Sequence, residues 1–337
     1  MQAQYDNIGD AIIRGTLVGW LREFDDVSVI TGSAPDEYLE VVNLDAGVEC
    51  YRSLLEYSKS RARTTHLAFA PGEQYLDRGV REWPKAVANI LLSYAIRANG
   101  GRVVKVGRGY RGAQRFLTLL ERVQMGASDL TLVRDVEALR MFPRASLMPD
   151  IALASERFDS TDTASAERRE GLVLSMRGDR GTDLEYVGKV LQSAGQSVSV
   201  VTQVRRDAAR SAEVALHFGV DLDRWEGSME EQLRSLVDRY RSARFVVSDR
   251  LHVLIFALLC GAIPLGIETG SHNKLSRQFD AIGLGHLIGS PTSRDLFELA
   301  ISDPAAVAAE TRSAIQASRL KLNQAKADVG SLLARDR

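Results

Sequence analysis

The segment from Arg244 to Lys274 joins cations and a histidine to long apolar runs. Arg250 and His252 have one residue between them, and Lys274 closes the segment. Arginine binds carboxylates and phosphates through paired N–H groups, whereas lysine acts as a point charge. Because histidine titrates near neutral pH, it can donate a proton to a bound molecule. These residue types together predict a site that binds an anion and protonates it.

The elements around these residues predict a parallel strand–helix–strand unit. Residues 245–247 form a short β-type run, residues 251–260 a longer apolar run typical of a buried helix, and residues 263–267 a second buried strand. Ligands of parallel α/β sheets bind beyond the carboxyl ends of the strands. The arginine and histidine at the helix start and the lysine after the second strand are therefore expected to meet in one crevice.

Short β-type runs alternate with helical periodicity over the rest of the chain. The β-type runs lie at residues 27–31, 65–70, 102–106, 130–133, 171–176 and 197–202, and the helical patterns at 11–23, 83–98, 112–124, 184–194 and 305–337. Residues 155–170 are polar and rich in Ser, Thr and Asp, which is typical of a linker. The glycine-rich stretch GRGYRG at 107–112 is predicted to be a loop with Arg108 and Arg111 in solvent.

Short motifs with glycine or charged residues mark the predicted strand ends and helix starts. They are NIGDAII at 7–13, APGEQY at 70–75, LVRDVEAL at 132–139, MPDIA at 148–152, and SDRLH at 248–252 with a later lysine, Lys274. SDRLH, the helix and strand after it, and the lysine resemble the C-terminal signature of the polysaccharide pyruvyl transferases. The other motifs resemble, in the family's order, its N-x-G-D loop, its glycine-containing loop, its arginine–acid motif and the P-D that follows. The resemblance covers nearly the whole chain.

The resemblance implies an α/β fold of two Rossmann-like domains facing across a cleft, as in GT-B glycosyltransferases. We expect an N-terminal domain at 1–153 on the acceptor side and a linker at 154–170. A C-terminal domain at 171–300 on the phosphoenolpyruvate side and helices at 301–337 that pack back across the domains should follow. A length of 337 residues agrees with two domains. Because only six residues precede Asn7, the first strand of the fold is expected to be very short or incomplete.

The chemistry implied by the resemblance is transfer of pyruvate from phosphoenolpyruvate to two hydroxyls of one sugar, giving a cyclic ketal and phosphate. Arg134, Arg250 and Lys274 are the predicted contacts of the carboxylate and phosphate of this co-substrate. Leu251 lies between two site residues and is expected to touch the same ligand. His252 is the predicted general acid, because the enol carbon must be protonated before its neighbour becomes electrophilic. Since metal-ligand spacing is absent from the sequence, no metal is expected, and no cofactor besides the co-substrate.

A carboxylate is needed as base for the attacking hydroxyl. Asp10 is the first choice, with Glu73 and Glu268 behind it. The predicted acceptor or loop contacts are Asn7, Gly9, Glu73, Arg177 and Glu268.

Several of these residues also have a structural explanation. Asn7 and Asp10 suit the N-terminal cap of the helix at 11–23. Arg134 could pair with Asp135 at the surface, and Arg250 could serve in a structural salt bridge. The order of the motifs favours function for the arginines, whereas capping and substrate contact are compatible for Asp10.

Two other classes of function fit the same sequence. A GT-B glycosyltransferase or a nucleotide-sugar epimerase would use the basic residues for a nucleoside diphosphate, with Glu268 as the carboxylate that meets the ribose. A non-catalytic protein that senses an anion or scaffolds an assembly complex would have little use for an acid beside the cations. The transferase is therefore favoured over both alternatives.

Composition and charge limit the classes of molecule that the protein is expected to bind. The net charge of −1, the isoelectric point near 6.6 and the scattered charges argue against a nucleic-acid-binding surface. The opening MQAQYDNIGD lacks a basic-then-apolar signal, and the longest apolar run is shorter than the roughly 20 residues of a membrane span. We expect a cytoplasmic protein that meets its sugar or lipid-linked oligosaccharide acceptor at the inner face of the membrane. Peripheral membrane association and a homo-oligomer are compatible with the sequence.

Overall fold

The computed structural model describes residues 4–44, 47–59, 66–158, 169–179, 197–268, 274–289 and 302–334. The first half contains helices α1 Ile8–Arg22, α2 Asp36–Val42, α3 Leu54–Lys59, α4 Trp83–Ala98, α5 Arg115–Gly126 and α6 Val136–Met141. Its strands are β1 Ser28–Ile30, β2 Glu49–Tyr51, β3 His66–Phe69, β4 Gly72–Tyr75, β5 Arg102–Arg111, β6 Leu130–Val133 and β7 Ser146–Leu147.

The second half begins after the predicted linker. Its strands are β8 Leu172–Ser175, β9 Val198–Val201, β10 Asp221–Asp223, β11 Phe245–Ser248, β12 Ile263–Ile267 and β13 Ile288–Gly289. Its helices are α7 Ala208–Phe218, α8 Met229–Ser242, α9 Leu251–Leu259, α10 Lys274–Asp280 and α11 Pro304–Leu333. The helix predicted at 184–194 and most of the predicted linker lie outside the described residues.

The N-terminal sheet is parallel and runs in the order β3-β5-β6-β7. The ten-residue β5 pairs with β3 through its first half and with β4 through its second half. The predicted loop at 107–112 is therefore wrong, since Arg108 and Arg111 lie on a strand. Gly107 at a φ of +65° and a register shift against β6 let the strand continue where the sequence predicted its end.

The predicted strand at 27–31 forms as β1, but outside this sheet. It pairs with β2 in a separate two-stranded parallel sheet. Val18, Val29 and Val48 make a small core of their own beneath it. A turn at residues 4–6 takes the place of the expected short first strand, and Asn7 forms a single antiparallel bridge to Val204. The start of α1 therefore contacts the second half of the chain.

The C-terminal sheet is also parallel and runs in the order β10-β9-β8-β11-β12-β13. Numbered from its own first strand, this order is 3-2-1-4-5-6, which is that of a dinucleotide-binding Rossmann fold. The chain order reverses between β8 and β11, and the crevice outside that reversal is where such sheets bind ligands. His252 and both predicted C-terminal arginines follow these two strands.

The hydrophobic core runs without interruption from α1 into the C-terminal sheet. The long α11 packs against both halves of the chain. A Cβ atom at Gly330 would lie 2.3 Å from the Phe24 ring, Lys326 pairs with Glu23 at 2.5 Å, and the same helix contacts β12. This helix therefore contributes to holding the two sheets in one arrangement.

Candidate active site

His252 is the second residue of α9 and lies just beyond the carboxyl end of β11. Its ring stacks on Phe256, with 6.0 Å between centroids, and Phe256 stacks on Phe158 at 4.1 Å. The side chain is 11% exposed, and Nε2 has no hydrogen-bond partner among the described residues. A buried polar nitrogen without a protein partner is open to a bound ligand, which makes His252 a candidate functional residue.

The first turn of α1 packs directly on this ring. A Cβ atom at Gly9 would lie 2.5 Å from His252 Nδ1, which is too close for any side chain. Asn7 is the N-cap of α1, and its Oδ1 accepts the Gly9 N–H at 3.0 Å. The helix thus begins three residues before its predicted start. The glycine of the N-x-G-D motif allows the helix to reach the histidine.

Asp10 belongs to the same turn but bonds within its own segment. Its Oδ2 accepts the Gln4 N–H at 3.2 Å, and its Oδ1 lies 3.4 Å from Asn7 Nδ2. Arg14 Nη1 lies 3.6 Å from Oδ2 and also donates to the Asp10 carbonyl at 2.7 Å. The structure places Asp10 next to the glycine on the histidine ring, with its carboxylate partly exposed.

Asp150 joins His252 to the N-terminal sheet. Its Oδ2 accepts from Arg134 Nη1 at 2.8 Å and lies 3.7 Å from His252 Nε2, which is too long for a hydrogen bond. Its Oδ1 accepts the Ala152 N–H at 3.0 Å. Burial acts to raise the pKa of Asp150, but His252 and the Arg134 guanidinium hold it well below its usual range. The carboxylate is therefore charged at neutral pH.

Glu73 is the second carboxylate that contacts Arg134. Its Oε1 lies 3.3 Å from Arg134 Nη2 and 2.9 Å from Lys274 Nζ, and its Oε2 lies 3.0 Å from Arg111 Nε. Burial acts to raise the pKa of Glu73, but these three cations hold it well below its usual range. Burial lowers the pKa of Lys274 to about 8, although Glu73 acts to raise it.

These side chains form one connected group, which we call the bridging cluster. Its members are Glu73, Arg111, Arg134, Asp150, His252 and Lys274. They lie at or just beyond the carboxyl ends of parallel strands, four from the N-terminal sheet and two from the C-terminal sheet. The carboxyl edges of the two sheets therefore face each other across the cluster.

A second group lies at the chain reversal of the C-terminal sheet, and we call it the switch-point cluster. Arg250 Nε pairs with the buried carboxylate of Asp207, whose other oxygen accepts the Gly178 N–H at 2.8 Å. The Arg177 guanidinium makes a bidentate ion pair with Asp179 at 2.6 and 2.7 Å, and the Arg177 backbone N–H donates to the Asp249 carboxylate at 2.9 Å. Arg250 is only two residues from His252, but its side chain pairs here rather than with the bridging cluster.

The two remaining predicted contacts, Leu251 and Glu268, both have structural roles. Leu251 is the first residue of α9 and is buried. Glu268 follows β12 and accepts the Leu275 and Ser276 N–H groups at 2.8 and 3.2 Å and the Ser276 hydroxyl at 2.5 Å. Glu268 thus caps the first turn of α10, the helix that begins at Lys274.

Sequence reasoning misses Asp150 and Arg111 as members of the site. Asp150 is the acid of the P-D motif, so the motif itself is the signal that could have indicated it. Arg111 has no short-range signal, because its position depends on β5 continuing through a predicted loop. Arg134 bonds to Asp150 and Glu73, far from it in sequence, and the side chain of the adjacent Asp135 instead caps α6.

A comparison with protein-family models gives one match that covers most of the chain. The model described as polysaccharide pyruvyl transferase matches residues 7–269. The chain belongs to this family. Of the bridging cluster, the matched range of the polysaccharide pyruvyl transferase model contains every member except Lys274, which lies five residues beyond it. A comparison with curated protein sequences gave no match.

Solved structures resemble this pyruvyl transferase family member in fold at low identity. A putative UDP-N-acetylglucosamine 2-epimerase from Listeria monocytogenes has a TM-score of 0.52 at 13% identity, covering 90% of this chain and 88% of that chain. The S. aureus MnaA–UDP structure has a TM-score of 0.48 at 9% identity, with 90% and 88% covered. Together with the two parallel sheets, the Listeria structure confirms the predicted fold of two Rossmann-like domains across a cleft, as in GT-B enzymes.

Membrane-spanning helices and clustered metal ligands are both absent from the described part of the chain. Over those residues, each helix is too short or too polar to cross a bilayer. The same residues contain no group of three or more His, Cys, Asp or Glu side chains arranged to hold a metal ion.

Proposed function

We propose that this chain transfers pyruvate from phosphoenolpyruvate to two hydroxyls of one sugar. The sugar would belong to a cell-envelope or extracellular polysaccharide or to its lipid-linked precursor, and the products would be a cyclic ketal and phosphate. The observation that carries the proposal is His252, whose unpartnered Nε2 lies 3.7 Å from the carboxylate that also pairs with Arg134, two residues from Arg250. A proton donor beside several cations suits an anionic substrate that must be protonated on carbon.

The donor would bind at the start of α9. The first N–H groups of a helix attract anions, and Arg250 and Arg177 stand at the same end of the C-terminal sheet. We place the phosphate of phosphoenolpyruvate there and its carboxylate toward Arg134 and Lys274. His252 would then lie between the two anionic groups, close to the enol carbon.

His252 would donate its proton to C3, which turns the methylene into a methyl group and leaves C2 electron-deficient. One sugar hydroxyl adds to C2, the bond from C2 to the phosphate oxygen breaks, and the second hydroxyl closes the ring. The base takes the proton of the attacking hydroxyl and passes it on to restore His252, and the proton of the second hydroxyl leaves with hydrogenphosphate. The Asp150 carboxylate near Nε2 would stabilise the protonated imidazole by charge.

Among the carboxylates, Asp10 is the proposed base for the attacking hydroxyl. It is partly exposed and follows Gly9, which packs on the histidine ring. Glu73 is a weaker choice, because three cations hold its pKa well below the usual range. Glu268 accepts hydrogen bonds on both oxygens within its own helix cap.

The test is isothermal titration with phosphoenolpyruvate, UDP-glucose and UDP-galactose, on the wild-type chain, Arg250→Ala and Arg250→Lys. We expect only phosphoenolpyruvate to bind, and Arg250→Ala to weaken it by about ten- to a hundredfold, as loss of a charged hydrogen bond implies. Arg234→Ala, an exposed arginine of α8, is the matched control and should bind as wild type.

A thermal unfolding curve of each variant separates lost binding from lost folding. Arg250→Lys keeps the positive charge opposite Asp207, so it reports on the ligand even if Arg250→Ala is unstable. Heat from a nucleotide sugar with none from phosphoenolpyruvate would contradict the proposal and support a glycosyltransferase or epimerase. Binding of phosphoenolpyruvate without release of phosphate in an acceptor screen would favour an anion sensor.

A further inference from the structure

Two neighbouring helices of the N-terminal half, α4 and α5, present large apolar side chains to solvent. The side chains, between 39 and 66% exposed, are Val80, Val87, Leu91, Tyr94, Phe116, Leu119 and Val123. All but Val80 lie on α4 or α5, and Val80 is in the turn before α4. We call this surface the α4–α5 face.

The face is continuous. Trp83 at the start of α4 contacts Phe116 at the start of α5, with ring centroids 4.3 Å apart. Near the other ends, the Tyr94 hydroxyl donates to the Val123 carbonyl at 3.3 Å. The two helices therefore run side by side in the same direction, and their apolar stripes form one patch. Contiguous exposed apolar surface of this kind is typical of an interaction site.

The composition of α4 supports the same conclusion. Its sequence WPKAVANILLSYAIRA is mostly apolar, yet only Ser93 and Ile96 are buried. A surface helix normally turns its apolar stripe toward the core and its polar residues toward water. On α4 the stripe formed by Val87, Leu91 and Tyr94 faces solvent instead.

The charges on the two helices distinguish between possible occupants. They carry five charged side chains, of which the acid Glu121 is buried, whereas Lys85, Arg97, Arg115 and Arg122 are exposed. Both helices are fully described, and their exposed charges are positive, although one of these cations, Arg97, pairs with Asp129 just after α5. The turn at 77–82 adds two arginines and two acids and leaves this balance unchanged.

We propose that the α4–α5 face docks on the surface of an anionic lipid bilayer. Apolar side chains flanked by Lys and Arg are the pattern by which surface helices enter the headgroup region and attract acidic lipids. A second copy of the chain is a poorer occupant, because a two-fold contact through one face would set its cations against each other.

The face begins beside the candidate active site. Arg111, a member of the bridging cluster, is followed closely by Arg115 at the start of α5. On the α4 side, Arg78 lies 4.0 Å over the Tyr75 ring, and the Tyr75 hydroxyl lies 3.4 Å from Glu73. This part of the inference rests on the proposed function: a docked protein would hold its sugar-binding edge close to a lipid-linked acceptor.

The test is co-sedimentation of the full chain with vesicles of phosphatidylcholine mixed with phosphatidylglycerol, beside vesicles of phosphatidylcholine alone. We expect binding to the mixed vesicles that weakens as salt is added. Arg115→Ala and Arg122→Ala should each weaken it by about fivefold. The double variant Leu91→Asp with Leu119→Asp should weaken it by about tenfold or more, because two leucines no longer enter the bilayer. The matched control is Leu216→Asp, a leucine of α7 that is 85% exposed and lies outside the face.

Each outcome decides the matter. Wild-type protein that stays in solution at low salt, or a double variant that sediments as wild type does, would overturn the proposal. A wild-type dimer in light scattering that the double variant abolishes would assign the face to a second copy instead. Binding of phosphoenolpyruvate, measured on the same samples, should be unchanged by every variant. A chain that binds vesicles but not phosphoenolpyruvate would refute the proposed function while leaving lipid docking intact.

Discussion

Two buried ion networks lie at the N-terminal sheet, and one of them extends to residues of the C-terminal sheet. In the first, Lys105 Nζ contacts Glu121 at 2.5 Å and donates to Gln124 at 2.9 Å, while Tyr110 and Gln74 donate to the same glutamate at 2.6 and 2.9 Å. Over the described residues, no buried polar side-chain atom of this network lacks a partner. The second network is the bridging cluster, where the nearest carboxylate to His252 Nε2 stands at 3.7 Å.

The difference separates a structural network from a candidate site. Both contain carboxylates of lowered pKa and a lysine whose pKa burial lowers to about 8. A shifted side-chain pKa therefore does not by itself indicate a catalytic residue. What distinguishes the bridging cluster is its position at facing sheet edges, its partly exposed Lys274, and an imidazole nitrogen, His252 Nε2, without a partner.

The largest expected effect is on turnover. His252→Ala should lower the rate of phosphate release by about a hundred- to ten-thousandfold, which is the usual contribution of a positioned acid. Phosphoenolpyruvate binding and the unfolding midpoint should change little, since the ring is at the margin of the core. Phe256→Leu, which disturbs the stacking but keeps the acid, is the control and should retain most of the rate. Turnover by His252→Ala at a wild-type rate would remove His252 from the mechanism.

The second largest effect is expected on stability, in the network of Lys105 and Glu121. Glu121→Ala leaves the Lys105 ammonium buried without its carboxylate, so we expect a loss of about 3–5 kcal/mol in the free energy of unfolding. The double variant Lys105→Met with Glu121→Leu removes both charges and should recover most of that loss. Urea unfolding measures stability, and phosphate release by the folded protein measures function.

We expect the turnover of folded Glu121→Ala to fall far less than that of His252→Ala. If a stable Glu121→Ala protein lost turnover to the same extent, the two networks would be functionally one. Gln74 would connect the two networks, because it donates to Glu121 and directly follows Glu73 in the sequence.

The sequence predicts the elements around the site better than its contacts. The strand–helix–strand unit from Phe245 to Ile267 forms within a residue of its predicted bounds, because long apolar runs and Gly261 define it locally. The extension of β5 through Arg111 is missed, since its glycines are equally compatible with a loop and only pairing with β4 decides between them. Tertiary pairing overrides local signals at such positions.

The ion pairs of the site are harder to predict from the sequence than its helices and strands. Motif order brings Arg134, His252 and Lys274 into one hypothesis, but the partner of each is a residue distant in the chain. The separation of Arg250 from His252 likewise depends on Asp207, which no local pattern indicates. Sequence therefore predicts which residue types meet at the cleft, whereas side-chain pairing requires the packed sheets.

A smaller effect concerns pH. Because burial lowers the pKa of Lys274 to about 8, its ammonium charge is present below that pH and is lost as pH rises through it. Phosphoenolpyruvate binding should therefore weaken by about tenfold between neutral and alkaline pH, as loss of one charged contact implies. Lys274→Arg should remove this dependence, because arginine stays charged. Equal pH profiles for the two proteins by titration calorimetry would exclude Lys274 from the anion site.

The smallest effect tests the residue that a nucleotide-sugar enzyme would need. Glu268→Gln keeps one acceptor oxygen but loses the charge at the first turn of α10, so we expect a loss of about 1 kcal/mol in stability. Phosphoenolpyruvate binding should weaken only slightly, through small movements of Lys274. Glu231→Gln, the capping-box residue of α8, is the matched control for losing a helix-cap carboxylate away from the cleft. A Glu268→Gln protein of normal stability that loses binding of a UDP-sugar would reverse the assignment, because the carboxylate would then serve a ribose rather than a helix.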